Sequence, residues 1–184
     1  MFLKNLSVKP FSVITPYKIP SFLNKKVNAG DGFIYDSSIK LIGYNPKYVF
    51  SSRETLNEEK IQQINSTKLL IVTGANILKD NLEIISGFNI ETLKKIKVPI
   101  ALMGIGHYGL NQTNKYGFDK DSKEILKEIL TRFPLISVRC KGSYNYIATF
   151  FNEITKSILN TSCPVIFELD KIFNNFKKRE KYNQ

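Results

Sequence analysis

Two stretches limit what this 184-residue chain can become. Residues 68–78 and 98–105 are its longest apolar runs, and neither is long enough to cross a bilayer. Both suit buried β-strands. Each also gives way to small and polar residues: Leu69-Leu-Ile-Val-Thr runs into Gly74-Ala-Asn, and Ile100-Ala-Leu-Met runs into Gly104-Ile-Gly-His-Tyr-Gly109. Helix-like segments alternate with strand-like ones along the chain. That alternation predicts a βαβ layout: an α/β, three-layer, Rossmann-like domain with a mostly parallel sheet. Ligands in such sheets bind beyond the carboxyl ends of the strands, so the residues after each run are where a site should be sought.

The pattern predicts strands over residues 11–15, 48–50, 69–73, 100–103, 135–138 and 165–167. It predicts helices over 32–41, 57–64, 90–96, 123–132, 142–151 and 172–181. Asp31 is expected as an N-cap or first-turn residue, and Phe33, Ile34, Ile39 and Leu41 as core contacts of the helix it opens. Asp121 is expected to cap the amphipathic segment 123–132, with Ile125, Leu126, Ile129 and Leu130 on one side. Residues 110–117 read as a polar loop. No internal repeat is visible. Residues 1–169 form one domain on this reading, followed by a basic tail over 170–184.

Lys and Arg together number 27 against 16 Asp and Glu, a net charge of +11. Such a surface favours anionic partners, such as a phosphorylated substrate, an acidic glycan, a membrane surface or nucleic acid; a solvated lysine-rich surface is the plain alternative. Lysine dominates over arginine, which argues against sequence-specific base readout. No transmembrane segment or signal peptide is apparent. Cys140 and Cys163 have neither a disulfide framework nor metal-ligand spacing around them. They are expected to pack as small hydrophobes in a reduced, cytoplasmic protein, with the inner membrane surface as a further location.

Four strand-end motifs carry the candidate chemistry. Gly104–Gly109 formally matches G-x-G-x-x-G, but a polar loop follows it where a dinucleotide site needs a helix, and it sits on about the fourth strand. His107 within it is the chain's only histidine, a candidate for acid/base work or a structural residue. Asn28-Ala-Gly-Asp31 precedes a helix, where free N–H groups could take a phosphate or sugar hydroxyl. Asp31 would repel an anion, which favours a polyol or a simple cap. Arg139 and Ser143 lie in Val138-Arg-Cys-Lys-Gly-Ser143; the arginine can grip a carboxylate or phosphate, or pair with a carboxylate such as Asp31.

Taken in order, five segments resemble the polysaccharide pyruvyl transferase family. They are Asn28-Ala-Gly-Asp-Gly-Phe-Ile34, Gly74-Ala-Asn-Ile-Leu78, Pro99-Ile-Ala-Leu-Met-Gly-Ile-Gly106, Ile136-Ser-Val-Arg-Cys-Lys-Gly-Ser143 and Cys163-Pro-Val-Ile-Phe167. The resemblance implies one of two Rossmann-like halves facing a cleft. It implies transfer of pyruvate from phosphoenolpyruvate, as donor and with no cofactor, onto two hydroxyls of a cell-surface polysaccharide sugar as a ketal. On that basis Asn28, Gly30 and Asp31 would shape the acceptor loop, with Gly74 and Asn76 at the next strand end. Gly104, Gly106 and His107 would line the cleft, with His107 the acid/base residue. Arg139 and Ser143 would contact an anionic or polyol group or brace the loops.

The chain departs from the family pattern in being about half the expected length. The matched segments are those of the N-terminal, acceptor-facing half, and the donor-binding arginine and histidine residues have no counterpart after Phe167. The glycine triplet stands as Gly74-Ala75-Asn76, and Cys140 stands where an acidic residue is common. The expectation is a fragment, a half-enzyme needing a complementing C-terminal half or a homo-oligomer, or a remnant. The competing expectation is a non-catalytic domain that binds a sugar or a protein partner.

Overall fold

In the computed structural model, the described residues are 10–16, 29–74, 76–79, 81–82, 84–107, 118–133 and 135–168. Asn28, Tyr108, Gly109, the loop 110–117, the helix expected over 172–181 and the basic tail lie outside them.

The strands are β1 (Phe11–Thr15), β2 (Tyr48–Ser51), β3 (Leu69–Thr73), β4 (Ile100–Ile105), β5 (Ile136–Val138) and β6 (Ile158–Asn160). They form one six-stranded sheet in the order β2-β1-β3-β4-β5-β6, and every pairing is parallel. Among the described residues five α-helices connect them: α1 (Ala29–Ile42), α2 (Glu58–Asn65), α3 (Ile90–Lys95), α4 (Lys120–Arg132) and α5 (Lys141–Phe150). The step from β1 to β2 runs one way along the sheet, and the later crossovers run the other way. Right-handed connections therefore place α1 on one face and α2 to α5 on the opposite face.

Packing follows this division. Tyr35 of α1 buries against Phe11, Val13 and Ile71 on one face. On the other, Ile61 and Ile64, Leu93, Ile125, Leu126, Ile129 and Leu130, and Ile147 join the larger core with Leu70, Val72, Ile100, Leu102 and Ile136. The predicted three-layer α/β architecture is the one observed. Among the described residues no helix is long and apolar enough to cross a membrane.

Several local expectations are corrected. Residues 165–167 are not a strand but part of a 3-10 helix, Pro164–Glu168, that packs along α1. Proline fixes φ near the helical value and lacks the N–H a ladder needs, so it starts this turn instead of a strand. The sixth strand is Ile158–Asn160, preceded by a 3-10 helix over Asn152–Ser157. Helix α4 is capped by Asp119, whose carboxylate accepts from Ser122 N at 2.7 Å, while Asp121 lies in the first turn. Helix α1 starts three residues earlier than predicted. Its inward stripe runs through Ile34, Tyr35 and Ser38, with Ile39 and Ile42 half-buried. Phe33 and Leu41 fall off that stripe and are 52% and 43% exposed. Ser38 satisfies its buried hydroxyl by donating to the Ile34 carbonyl at 2.7 Å. Cys140 is exposed and Cys163 half-buried, both as free thiols. Cys140 does not pack as a small hydrophobe, because it is the residue that opens α5.

Candidate functional site

Because all six strands run parallel, their carboxyl ends share one edge. The chain leaves β1 toward β2 and leaves β3 toward β4, so the crossovers diverge between β1 and β3. A crevice forms at such a divergence. Along the same edge the first turns of α1 come together with the residues that follow β3, β4 and β5.

Glycine makes the meeting close. Gly104 has a φ of +63° and sits where the register between β4 and β5 shifts, between Leu102 and Ile105. Its N–H donates to Ser137 Oγ at 3.1 Å, and a Cβ there would lie 2.8 Å from Pro164 Cδ. A Cβ on Gly74 would lie 2.6 Å from Ile34 Cγ2 and 2.9 Å from the Gly104 carbonyl. The end of β3, the first turns of α1 and Gly104 of β4 therefore touch through bare backbone.

Arg139, just beyond β5, reaches back across this surface. Its guanidinium lies over Gly106, where a Cβ would overlap Nε and stand 2.7 Å from Cζ. Its Nη2 donates to Asn76 Oδ1, beyond β3. Backbone bonds hold the frame: Arg139 N donates to Ile105 O at 3.0 Å, and Leu78 N to Gly106 O at 3.1 Å. Asn76, Gly106 and Arg139 are thus one contiguous unit.

His107 follows directly. Its N–H donates to Ser143 Oγ at 2.9 Å, and its half-buried ring packs on Tyr146 with centroids 4.1 Å apart. Ser143 is 1% exposed, so its hydroxyl ties the β4 loop to α5. Cys140 Sγ lies 3.2 Å from the same hydroxyl. Burial raises the Cys140 thiol, but hydrogen bonding from Ser143 and Gly142 and the charge of Arg139 outweigh it and hold the pKa below its ordinary value.

Asp31 lies in the first turn of α1, half-buried, with Gly30 exposed beside it. Burial raises its carboxyl above the ordinary range, opposed by the charges of Arg139 and then Arg53. Arg139 therefore acts on Asp31 through space while hydrogen-bonding Asn76. Arg53 was not among the residues expected from the sequence. A signal was available: like Arg139, it is an arginine just past a short strand. Tyr146, the ring under His107, was hidden in an amphipathic helix. No cluster of three or more His, Cys, Asp or Glu side chains suited to a metal occurs among the described residues.

The structure brings Asp31, Gly74, Asn76, Gly104, Gly106, His107, Arg139 and Ser143 to one edge; Asn28 falls outside the described residues. Chemically, the edge offers a half-buried carboxylate, an arginine fork and an amide side chain around a glycine-floored surface. Those groups suit hydroxyl and carboxylate or phosphate oxygens.

No curated protein and no solved structure matches the chain. A family model described as polysaccharide pyruvyl transferase does match, over residues 28–184. That span begins one residue before α1 and takes in every residue gathered at this edge, and by it the chain belongs to the polysaccharide pyruvyl transferase family.

Proposed function

We propose that this chain serves the transfer of pyruvate from phosphoenolpyruvate to a sugar of a cell-surface polysaccharide, and that the edge described above receives the sugar. The carrying observation is Arg139 laid over the bare Gly106 onto Asn76 at the strand-end edge. Asp31, Asn76 and His107 lie along that same edge.

Ketal formation needs balanced proton traffic. The donor's CH2 carbon takes one proton and becomes a methyl group. Two sugar oxygens bond the adjacent carbon, and the phosphate leaves. Of the two hydroxyl protons lost, one balances the methyl group and one leaves with phosphate. His107 is the candidate for moving a proton at the attacking hydroxyl, since an imidazole can both accept and donate one. Asp31 accepts from sugar hydroxyls, and the cationic fork steadies anionic oxygen.

The test is phosphate release from phosphoenolpyruvate by the pure chain, with and without glycan. Glycan-dependent release is expected, falling about 10²- to 10⁴-fold in His107→Ala with the melting temperature retained. Glycan binding with no release overturns the catalytic role. It favours a second reading, a domain that binds sugar without turnover, which draws on the packing of the His107 ring against Tyr146.

A further inference from the structure

The end of β2, on the far side of β1 from the glycine-lined loops, carries charge that the pyruvyl transfer reading leaves unused. Arg53 stands two residues beyond β2, and its backbone is fixed there. Ser52 N donates to the Thr15 carbonyl at 2.7 Å, Glu54 N to the Ser51 carbonyl at 3.0 Å, and Arg53 N to Ser51 Oγ at 3.2 Å. The neighbouring Glu54 carboxylate faces Lys60 of α2 at 3.4 Å and accepts from Ser51 N at 3.3 Å. Asp31 lies within electrostatic reach of both Arg53 and Arg139. Arg53, two residues past β2, and Arg139, one past β5, thus stand on opposite sides of β1, and the charge of each reaches the Asp31 carboxylate.

The floor between them is polar. Ser51 is in register with Thr15, and both are buried. Thr15 is two residues past Val13, so strand alternation points it to the α1 face. It is 1% exposed, and its Oγ1 has no hydrogen-bond partner among the described residues. A buried hydroxyl left unpaired is costly and calls for a partner.

We propose that Arg53 and Arg139 together hold an anionic group borne by the sugar acceptor, which makes Arg53 a specificity-determining residue for acidic over neutral acceptors. Asp31 then takes sugar hydroxyls, and Thr15 Oγ1 is left for one oxygen of the bound sugar. The inference rests on the acceptor reading given above. The shared chemistry is a carboxylate or a phosphate, either of which an arginine fork can grip.

The experiment is an NMR titration of the isotope-labelled chain with methyl glucuronoside, glucose 1-phosphate and methyl glucoside. At least one charged ligand is expected to bind about tenfold or more tightly than the neutral one. The charged ligand that gains names the anion as carboxylate or phosphate, and a gain by either supports the proposal. In Arg53→Gln the gap is expected to shrink to about twofold with the affinity for methyl glucoside kept, and in Arg53→Lys part of it is expected to return. If the glutamine variant fails to fold, the lysine variant and the loss of the gap at high salt in the unaltered chain carry the test. Equal binding of charged and neutral ligands, or an unchanged gap in the folded glutamine variant, overturns the proposal and leaves the acceptor reading standing. Binding of none of the three overturns both.

Discussion

The two flanks of the strand-end edge are built on different principles. From β3 to β5, the loops meet through backbone: Gly74 against the Gly104 carbonyl, Gly106 under the Arg139 guanidinium, and His107 N bound to Ser143. From β1 to β2, the edge combines charge with buried hydroxyls: the charge of Arg53 acts on Asp31, and Thr15 and Ser51 pair in register beside them. The first flank is fixed by steric fit and tolerates little. The second is governed by solvation and Coulomb forces, so it responds to pH and salt. A site assembled this way separates shape from charge, and substitutions should reveal which flank they touch.

The largest effect is expected for Gly74→Ala. The new Cβ meets the Gly104 carbonyl, which is backbone and cannot rotate away, as well as Ile34. The expected loss is roughly 1–3 kcal/mol by denaturant titration. A loss below about 0.5 kcal/mol, the range of ordinary surface changes, would show that the flank is not sterically fixed.

Ser143→Ala comes next. It removes the hydroxyl that accepts from His107 N, leaving a part-buried donor unsatisfied at a cost of about 1 kcal/mol. Faster exchange of the His107 amide should accompany it. An unchanged exchange rate would break the link between the β4 loop and α5.

The smallest effect, opposite in sign, belongs to the charged flank. Burial raises the Asp31 pKa in the folded chain above the unfolded value of 3.8. The native state therefore holds that proton more tightly. The stability from this group is complete below pH 3.8 and is lost as pH rises through the raised native value. Asp31→Asn stays neutral throughout, so it should melt slightly higher than the unaltered chain at pH 7, by less than the Ser143→Ala effect. The difference should vanish as pH falls toward the ordinary carboxylate value. A variant that melts lower at pH 7 would mean that the arginines outweigh burial.

The steric flank was far more legible in the sequence than the charged one. Strands 11–15 and 69–73 emerge with the bounds read from the sequence, since both are short, β-branched-rich segments buried along nearly their whole length. Gly74, Gly104, Gly106 and Arg139 could be picked out because they directly follow such runs. Ile158–Asn160 could not, because a three-residue strand with one buried side chain carries no period-two signal, while Val165-Ile-Phe167 is apolar without being buried in a sheet. Arg53 was missed for a non-local reason. Its relevance depends on β2 lying beside β1, and strand adjacency is set by tertiary packing. Asp31 was visible as a helix-opening residue, but its two arginine neighbours come from loops 22 and 108 positions away in sequence.

The fastening of residues 105–107 has a thermodynamic consequence. Leu78 ties them on one side, and Ser143 and the Arg139 amide tie them on the other, so this short stretch has little conformational freedom left to surrender. A ligand arriving at Gly106 meets a preformed surface and pays little ordering entropy. Calorimetry of sugar binding should then show a heat-capacity change no larger than the contact area requires, without the excess that marks folding coupled to association.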